Sequence, residues 1–153
     1  MTATKTKRSF ADYLGSIDAC EEAIEWVGER NAATAWRECP RADWLMWILG
    51  ANADRPGWPT QGEVVRLACQ CARRALVNVP AGEERPRLAI EAAERWANEP
   101  TEENRIAAGS AAEAAGSAAY AAGNAAYAAE QKVMCDLIRA TWKPTRKALA
   151  SVR

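Results

Sequence analysis

Apolar residues recur with helical spacing along most of the chain. Ile17, Cys20, Ile24 and Val27 fall at offsets 0, 3, 7 and 10, one face of a helix. Asp18 is read as its N-cap, with Glu21 and Glu22 placed to complete the cap, and Gly28 and Asn31 mark where the helix fades. The opposite side carries Asp18, Glu22, Glu25 and Glu29, an acidic stripe. Thr34 is read as the cap of a short turn through Trp36 and Cys39, stopped by Pro40. Residues 41–50, RADWLMWILG, form a helix apolar on nearly all sides, which places it mid-domain.

Pro56, Gly57, Pro59 and Gly62 make 51–62 a loop with Trp58 at its centre. From Glu63 to about Val77, Val64, Ala68, Cys71, Ala72 and Ala75 form a stripe opposite Arg66, Gln70 and Arg73. Pro80, Gly82 and Pro86 predict a turn. Residues 87–97 form an amphipathic helix in which Glu91 and Arg95 have i,i+4 spacing. Pro100 and Thr101 end that helix and cap the next. A last helix is predicted from Glu130 to about Trp142, before Pro144.

Three consecutive heptads begin at Gly109, Gly116 and Gly123, with Ile106, Glu113, Tyr120, Tyr127 and Met134 on a second register. Fourteen alanines lie between 107 and 129, and alanine is depleted in strands, so this segment reads as helix. Each glycine costs a helix about 1 kcal/mol relative to alanine. Three kept in register predict close approach of a neighbouring helix, within this chain or across a homodimer seam, with repetitive low complexity as the third reading.

The expected architecture is therefore all-α: a single-domain bundle of about six to seven helices with a close-packed Ala/Gly heptad helix. The domain spans 10–142, between a disordered basic tail (1–9) and a basic C-terminal tail (143–153).

Composition changes what fills the core. Leu, Ile, Val and Phe number only 22 of 153 residues, against 35 alanines and seven tryptophans. With zero net charge the chain is read as folded around alanine and indole. Charge is unevenly spread. Residues 1–8 hold three basic groups, residues 131–153 hold six basic and one acidic, and residues 9–130 hold 11 basic and 19 acidic, a net of −8. This distribution reads either as solvated ends with arginines bridging carboxylates on helix faces or as an acidic body that suits a basic protein partner. Direct nucleic-acid binding is not expected, because no interleaved aromatic pattern accompanies the basic ends.

Candidate chemistry is sparse. The absence of histidine removes the commonest general base and metal ligand. There is no phosphate-binding G-x-x-x-x-G-K-[ST], no G-x-G-x-x-G and no G-x-S-x-G. Adjacent carboxylates such as Glu21/Glu22, Glu83/Glu84 and Glu102/Glu103 suit helix first turns or loops. Five cysteines (20, 39, 69, 71 and 135) with one C-x-C spacing predict reduced, buried thiols rather than a zinc site or a disulfide framework. No cofactor, no metal and no catalysis are expected. The basic start runs into Phe10, Asp12 and Tyr13 instead of an apolar stretch, and no 18-residue apolar run exists, so the expected location is the cytoplasm.

Several blocks carry a resemblance: 19–27 (ACEEAIEWV), 35–47 (AWRECPRADWLMW), 66–73 (RLACQCAR), 85–97 (RPRLAIEAAERWA) and the alanine-rich segment after Thr101. Together they resemble the immunity-protein family of phages and bacterial genomes. The resemblance implies an all-helical, non-enzymatic protein that neutralises a toxin or defence effector by binding it. For a phage gene, it extends to anti-CRISPR-like inhibition of a nucleic-acid-targeting complex. On this reading the candidate partner-binding residues are Asp18, Glu22, Glu25 and Glu29, with Arg55 and Trp58 in the Pro-rich loop. Gly109, Gly116 and Gly123 are the candidate helix-packing or dimer seam of a self-associating module.

Overall fold

A computed structural model describes residues 7–110 and 127–152, and every regular element among them is helical. The first helix, α1 (Phe10–Ser16), lies where the sequence reading left an unassigned stretch. Ser9 and Asp12 close a capping box on it: the Asp12 N–H donates to Ser9 Oγ at 3.0 Å and the Ser9 N–H to Asp12 Oδ2 at 2.9 Å. The Ser9 N–H, and after it the Ser9 hydroxyl, hold the Asp12 carboxyl below its usual range. Ser9, assigned to the tail, is thus the first ordered cap.

The second helix, α2 (Glu21–Val27), begins later than expected, with Cys20 as N-cap. Asp18 is a turn residue at φ 60°, between two helices, and caps neither. Gly28 ends α2 at φ 48°, a conformation that favours glycine. Asn31 opens α3 (Ala32–Glu38) by accepting from the Thr34 N–H at 2.9 Å, so it starts a helix and Thr34 is not the cap. Helix α4 (Ala42–Ala51) matches the apolar segment read from the sequence, and its Leu49 is fully buried.

Thr60 and Glu63 form a second capping box on α5 (Gln61–Ala75), which a 3-10 turn (Leu76–Asn78) extends. Helix α6 (Arg85–Asn98) packs on α5. Residues 102–110 form α7 behind the Thr101 cap, followed by α8 (Tyr127–Thr141) and α9 (Arg146–Ala150). The expected Glu91–Arg95 pair is replaced by Arg87–Glu91, also at i,i+4.

Helix α8 ties the early helices together. Gln131, itself buried, accepts from the Ala42 N–H at 2.7 Å and so satisfies an N-terminal donor of α4. Arg139 donates to the carbonyls of Trp36 (3.0 Å) and Cys39 (2.5 Å), which closes the end of α3. The chain end, read as a tail, folds back instead. Thr145 caps α9, and Ala148 and Val152 enter the main core beside Leu49 and Ile138. Burying two apolar side chains outweighs the solvation of the neighbouring cations, which stay exposed.

The glycine register was expected to be a close-packed surface. At Gly109 a Cβ would meet nothing within 4 Å among the described residues, and most of the described part of α7 is exposed. Gly116 and Gly123 lie outside the described residues. No helix among the described residues is long and apolar enough to cross a membrane.

Candidate functional site

Six of the seven tryptophans converge on one cavity of about 470 Å³. Helix periodicity places them. On α4, Trp44 and Trp47 are three residues apart and reach one side, while Leu45 and Leu49 turn into the core. Trp26 on α2 and Trp36 on α3 supply facing walls. Trp58 from the loop and Trp142, just past α8, close one end, with Leu149 and Val152 from the folded-back terminus. Phe10 and Leu14 of α1 complete the apolar lining.

The indoles hold one another in place. Trp142 stacks on Trp58 (centroids 5.2 Å apart, planes at 22°) and meets Trp36 edge-on (5.1 Å, 79°). Trp26 and Trp44 form a tilted pair at 6.0 Å. Such geometries exceed simple area burial by about 0.5–1.5 kcal/mol per pair. Trp47 remains 40% exposed, unusual for so large an apolar side chain.

Charge enters only at the rim. The Arg30 and Arg41 guanidiniums lie over the rings of Trp26 and Trp44, at 4.7 and 4.6 Å. Arg41 also grips Asp43 with two bonds of 2.9 and 2.7 Å, which hold that carboxyl below its usual range, and reaches Glu22 at 3.6 Å. Asp18 lines the mouth from the turn before α2. Across residues 10–51 there are eight acidic and three basic side chains, so the helices around the opening carry a net charge of −5.

The residues singled out in the sequence separate here. Glu22 and Glu25 are exposed on the outer face of α2, whereas Asp18 and Glu29 sit in the turns before and after it. The acidic surface is real, but it is not one continuous helical stripe. Trp58, read as a surface docking residue, is 9% exposed and its indole N–H donates to Ser151 Oγ at 3.0 Å. Stacking and a satisfied N–H draw it into the cavity wall. Arg55 is exposed, but its guanidinium reaches the buried pair beneath it: it donates to the Tyr13 hydroxyl at 2.9 Å and to Asn52 Oδ1, and Tyr13 donates to that same Asn52 oxygen. These bonds join α1, α4 and the chain end. Sequence reading missed the cavity, although a Trp count of seven against one Phe was its trace.

The titratable side chains in the cavity's lining are Asp18, Cys20, Cys39, Arg41 and Asp43. Cys39, in the lining, has its thiol pushed up by burial, as do Cys69, Cys71 and, to about 11, Cys135. Raised thiols are poor nucleophiles. Cys20 is exposed. No group of three or more Cys, Asp or Glu among the described residues is arranged to hold a metal ion.

Residues 60–137, which are 78 of the 153, match the model of a family of unknown function (DUF6931). No curated protein and no solved structure matches the chain. The matched stretch runs from the α5 cap through most of α8, so the walls supplied by α1 to α4 lie outside it.

Proposed function

The chain belongs to the family of unknown function DUF6931, and we propose that it is a non-enzymatic binding protein that neutralises a partner protein, a toxin or a defence effector. One observation carries this reading: a cavity of about 470 Å³, walled by six tryptophans, opens between helices of net charge −5. Tryptophan and arginine are the side chains that most often dominate binding energy at interfaces. Acidic rims speed the approach of a basic surface and reject acidic ones. The occupant this fits is a cationic, amphipathic segment of the partner, with an apolar anchor in the cavity and lysines or arginines facing Glu22 and Glu25. The site of action proposed is the cytoplasm of a bacterial or phage-infected cell. A phage-borne inhibitor of a nucleic-acid-targeting defence complex would use the same physics.

Paired variants test it. A partner recovered from bacterial lysate by the wild-type chain is measured against Glu22→Lys/Glu25→Lys/Glu29→Lys and against Trp47→Ala. The charge reversal should slow association about tenfold and leave far-UV circular dichroism unchanged. Loss of the exposed indole should speed dissociation by about thirtyfold, equivalent to about 2 kcal/mol. Unaltered affinity in both variants removes this surface from consideration.

A second reading, self-association along the Gly109, Gly116 and Gly123 register, draws support from the open space at Gly109 and from Ile106, which is 56% exposed. Light scattering at high protein concentration decides it, since a strict monomer excludes a seam.

A further inference from the structure

Lys7 and Arg8 are more than a hundred residues from Arg146 in sequence, yet the fold brings these three cations to one place. Lys7 and Arg8 from the start of α1, Arg30 from the α2–α3 turn and Arg146 from α9 line a second cleft of about 790 Å³. Glu29 is the one carboxylate in that lining. Four cations against one anion is a marked reversal beside a body of net −8. Neither Lys7 nor Arg146 has an ion-pair partner among the described residues. Arg30 is already fixed, donating to the Trp26 carbonyl at 2.5 Å and pairing with Glu38 at 3.4 Å.

We propose that this cleft binds a phosphate-bearing anion with two or more phosphate groups, supplied by a nucleotide or by a nucleic-acid strand. Three of the four cations are arginines, whose planar forks match phosphate oxygens bidentately. They come from three separate segments, so the positive charge extends across the cleft instead of marking one point. Phe10 also lines it, with Tyr13 stacked behind at 6.2 Å, and provides an aromatic surface for a base. The cleft adjoins the tryptophan cavity, sharing Phe10 and Leu149 with its lining, but its cations Lys7, Arg8 and Arg146 lie outside that cavity.

The test titrates the full chain with pyrophosphate, with ADP and with a fluorescein-labelled single-stranded oligothymidine, at several salt concentrations. Saturable binding is expected at low salt. For the strand, log K should fall with log salt at a slope of about −2 to −3, from roughly −0.7 per neutralised phosphate. Arg8→Glu/Arg146→Glu should weaken binding at least tenfold and flatten that slope by about 1.4. Arg105→Glu/Lys132→Glu makes the same charge change on exposed side chains outside the cleft and should alter affinity less than twofold. Tight nucleotide binding with no gain for the strand identifies a free nucleotide as the source; a tighter strand identifies nucleic acid. The proposal is overturned if none of the three probes binds, if both double variants weaken binding equally, or if polyglutamate competes as well as the strand.

Discussion

The tryptophan-walled half and the α5–α6 hairpin are held together by different means. Around the cavity, large rings pack against Leu14, Leu45, Leu49 and Ile138 in one continuous core. The hairpin has a thinner seam of Cys69, Ile90, Ala92 and Ala97, which are buried but stand outside that core. Polar bonds cross it instead. Arg73 grips Glu94 at 2.7 and 2.6 Å, and Arg66 donates to the Ala97 carbonyl at 2.7 Å. Helix α5 joins the two regimes, giving Val64, Leu67 and Cys71 to the core and Cys69 to the seam. The cavity lies among the large rings, which line it from several helices. Small residues close-pack, and the hairpin presents a charged surface.

If this division holds, truncating the core should do the most damage. Leu49→Ala removes a fully buried side chain at the centre of the aromatic half. It should cost about 3–4 kcal/mol. At about 2–4 °C per kcal/mol for a chain of this size, the melting temperature should fall by about 10 °C. Loss of cooperativity without that fall would mean the aromatic half is not the stabilising centre.

Ile90→Ala makes the corresponding cut in the seam, where Ile90 is buried and its carbonyl accepts from the Cys69 thiol at 3.8 Å. The expected cost is smaller, about 2 kcal/mol. Its location is the sharper readout. Amide exchange should accelerate in α6 and along the facing side of α5, with α1 to α4 unchanged. Uniform acceleration across the chain would show that seam and core unfold as one unit.

The same division explains what could be read from the sequence. Helices α4, α5 and α6 were legible because their apolar residues repeat with the helical period within a single segment; α5 nevertheless starts at Gln61, inside the stretch read as loop, because Thr60 and Glu63 close a capping box there. Helix α1 carried the same kind of signal in Phe10, Tyr13, Leu14 and Ile17, but it sits against a basic start that reads as tail. Helix α9 is five residues long, and its hydrophobic content is visible only once Ala148 and Val152 are seen buried. The cavity was not legible at all. Its tryptophans run from Trp26 to Trp142, and no local rule relates positions so far apart. Trp58 shows the limit most clearly: a Pro- and Gly-rich loop predicts exposure, and only its stacking on Trp142 explains burial.

Acid should separate the two regions by the smallest but most selective effect. Arg85 holds the Glu83 carboxyl at about 2, against an ordinary 4.5, chiefly through its side-chain hydrogen bonds. Arg73 likewise holds Glu94 low, across the α5–α6 interface. A carboxylate depressed in the folded state adds stability that is fully present above its unfolded pKa. That contribution is lost as pH falls through the folded value. The window for Glu83 therefore runs from about 4.5 down to about 2. Both carboxylates pair with exposed arginines, so salt should weaken the effect by screening. Side-chain NMR titration should place the Glu83 midpoint near 2 at low salt and move it upward in 1 M salt, where the screening length is about 3 Å. Amide exchange in α6 should rise within the same pH window, while that of the last turns of α4 around Leu49, enclosed by apolar contacts and away from the first-turn Asp43–Arg41 pair, rises less. If Glu83 titrates near 4.5 at low salt, or the last turns of α4 loosen as much as α6, then the hairpin is not held by its charges and the contrast between the two halves fails.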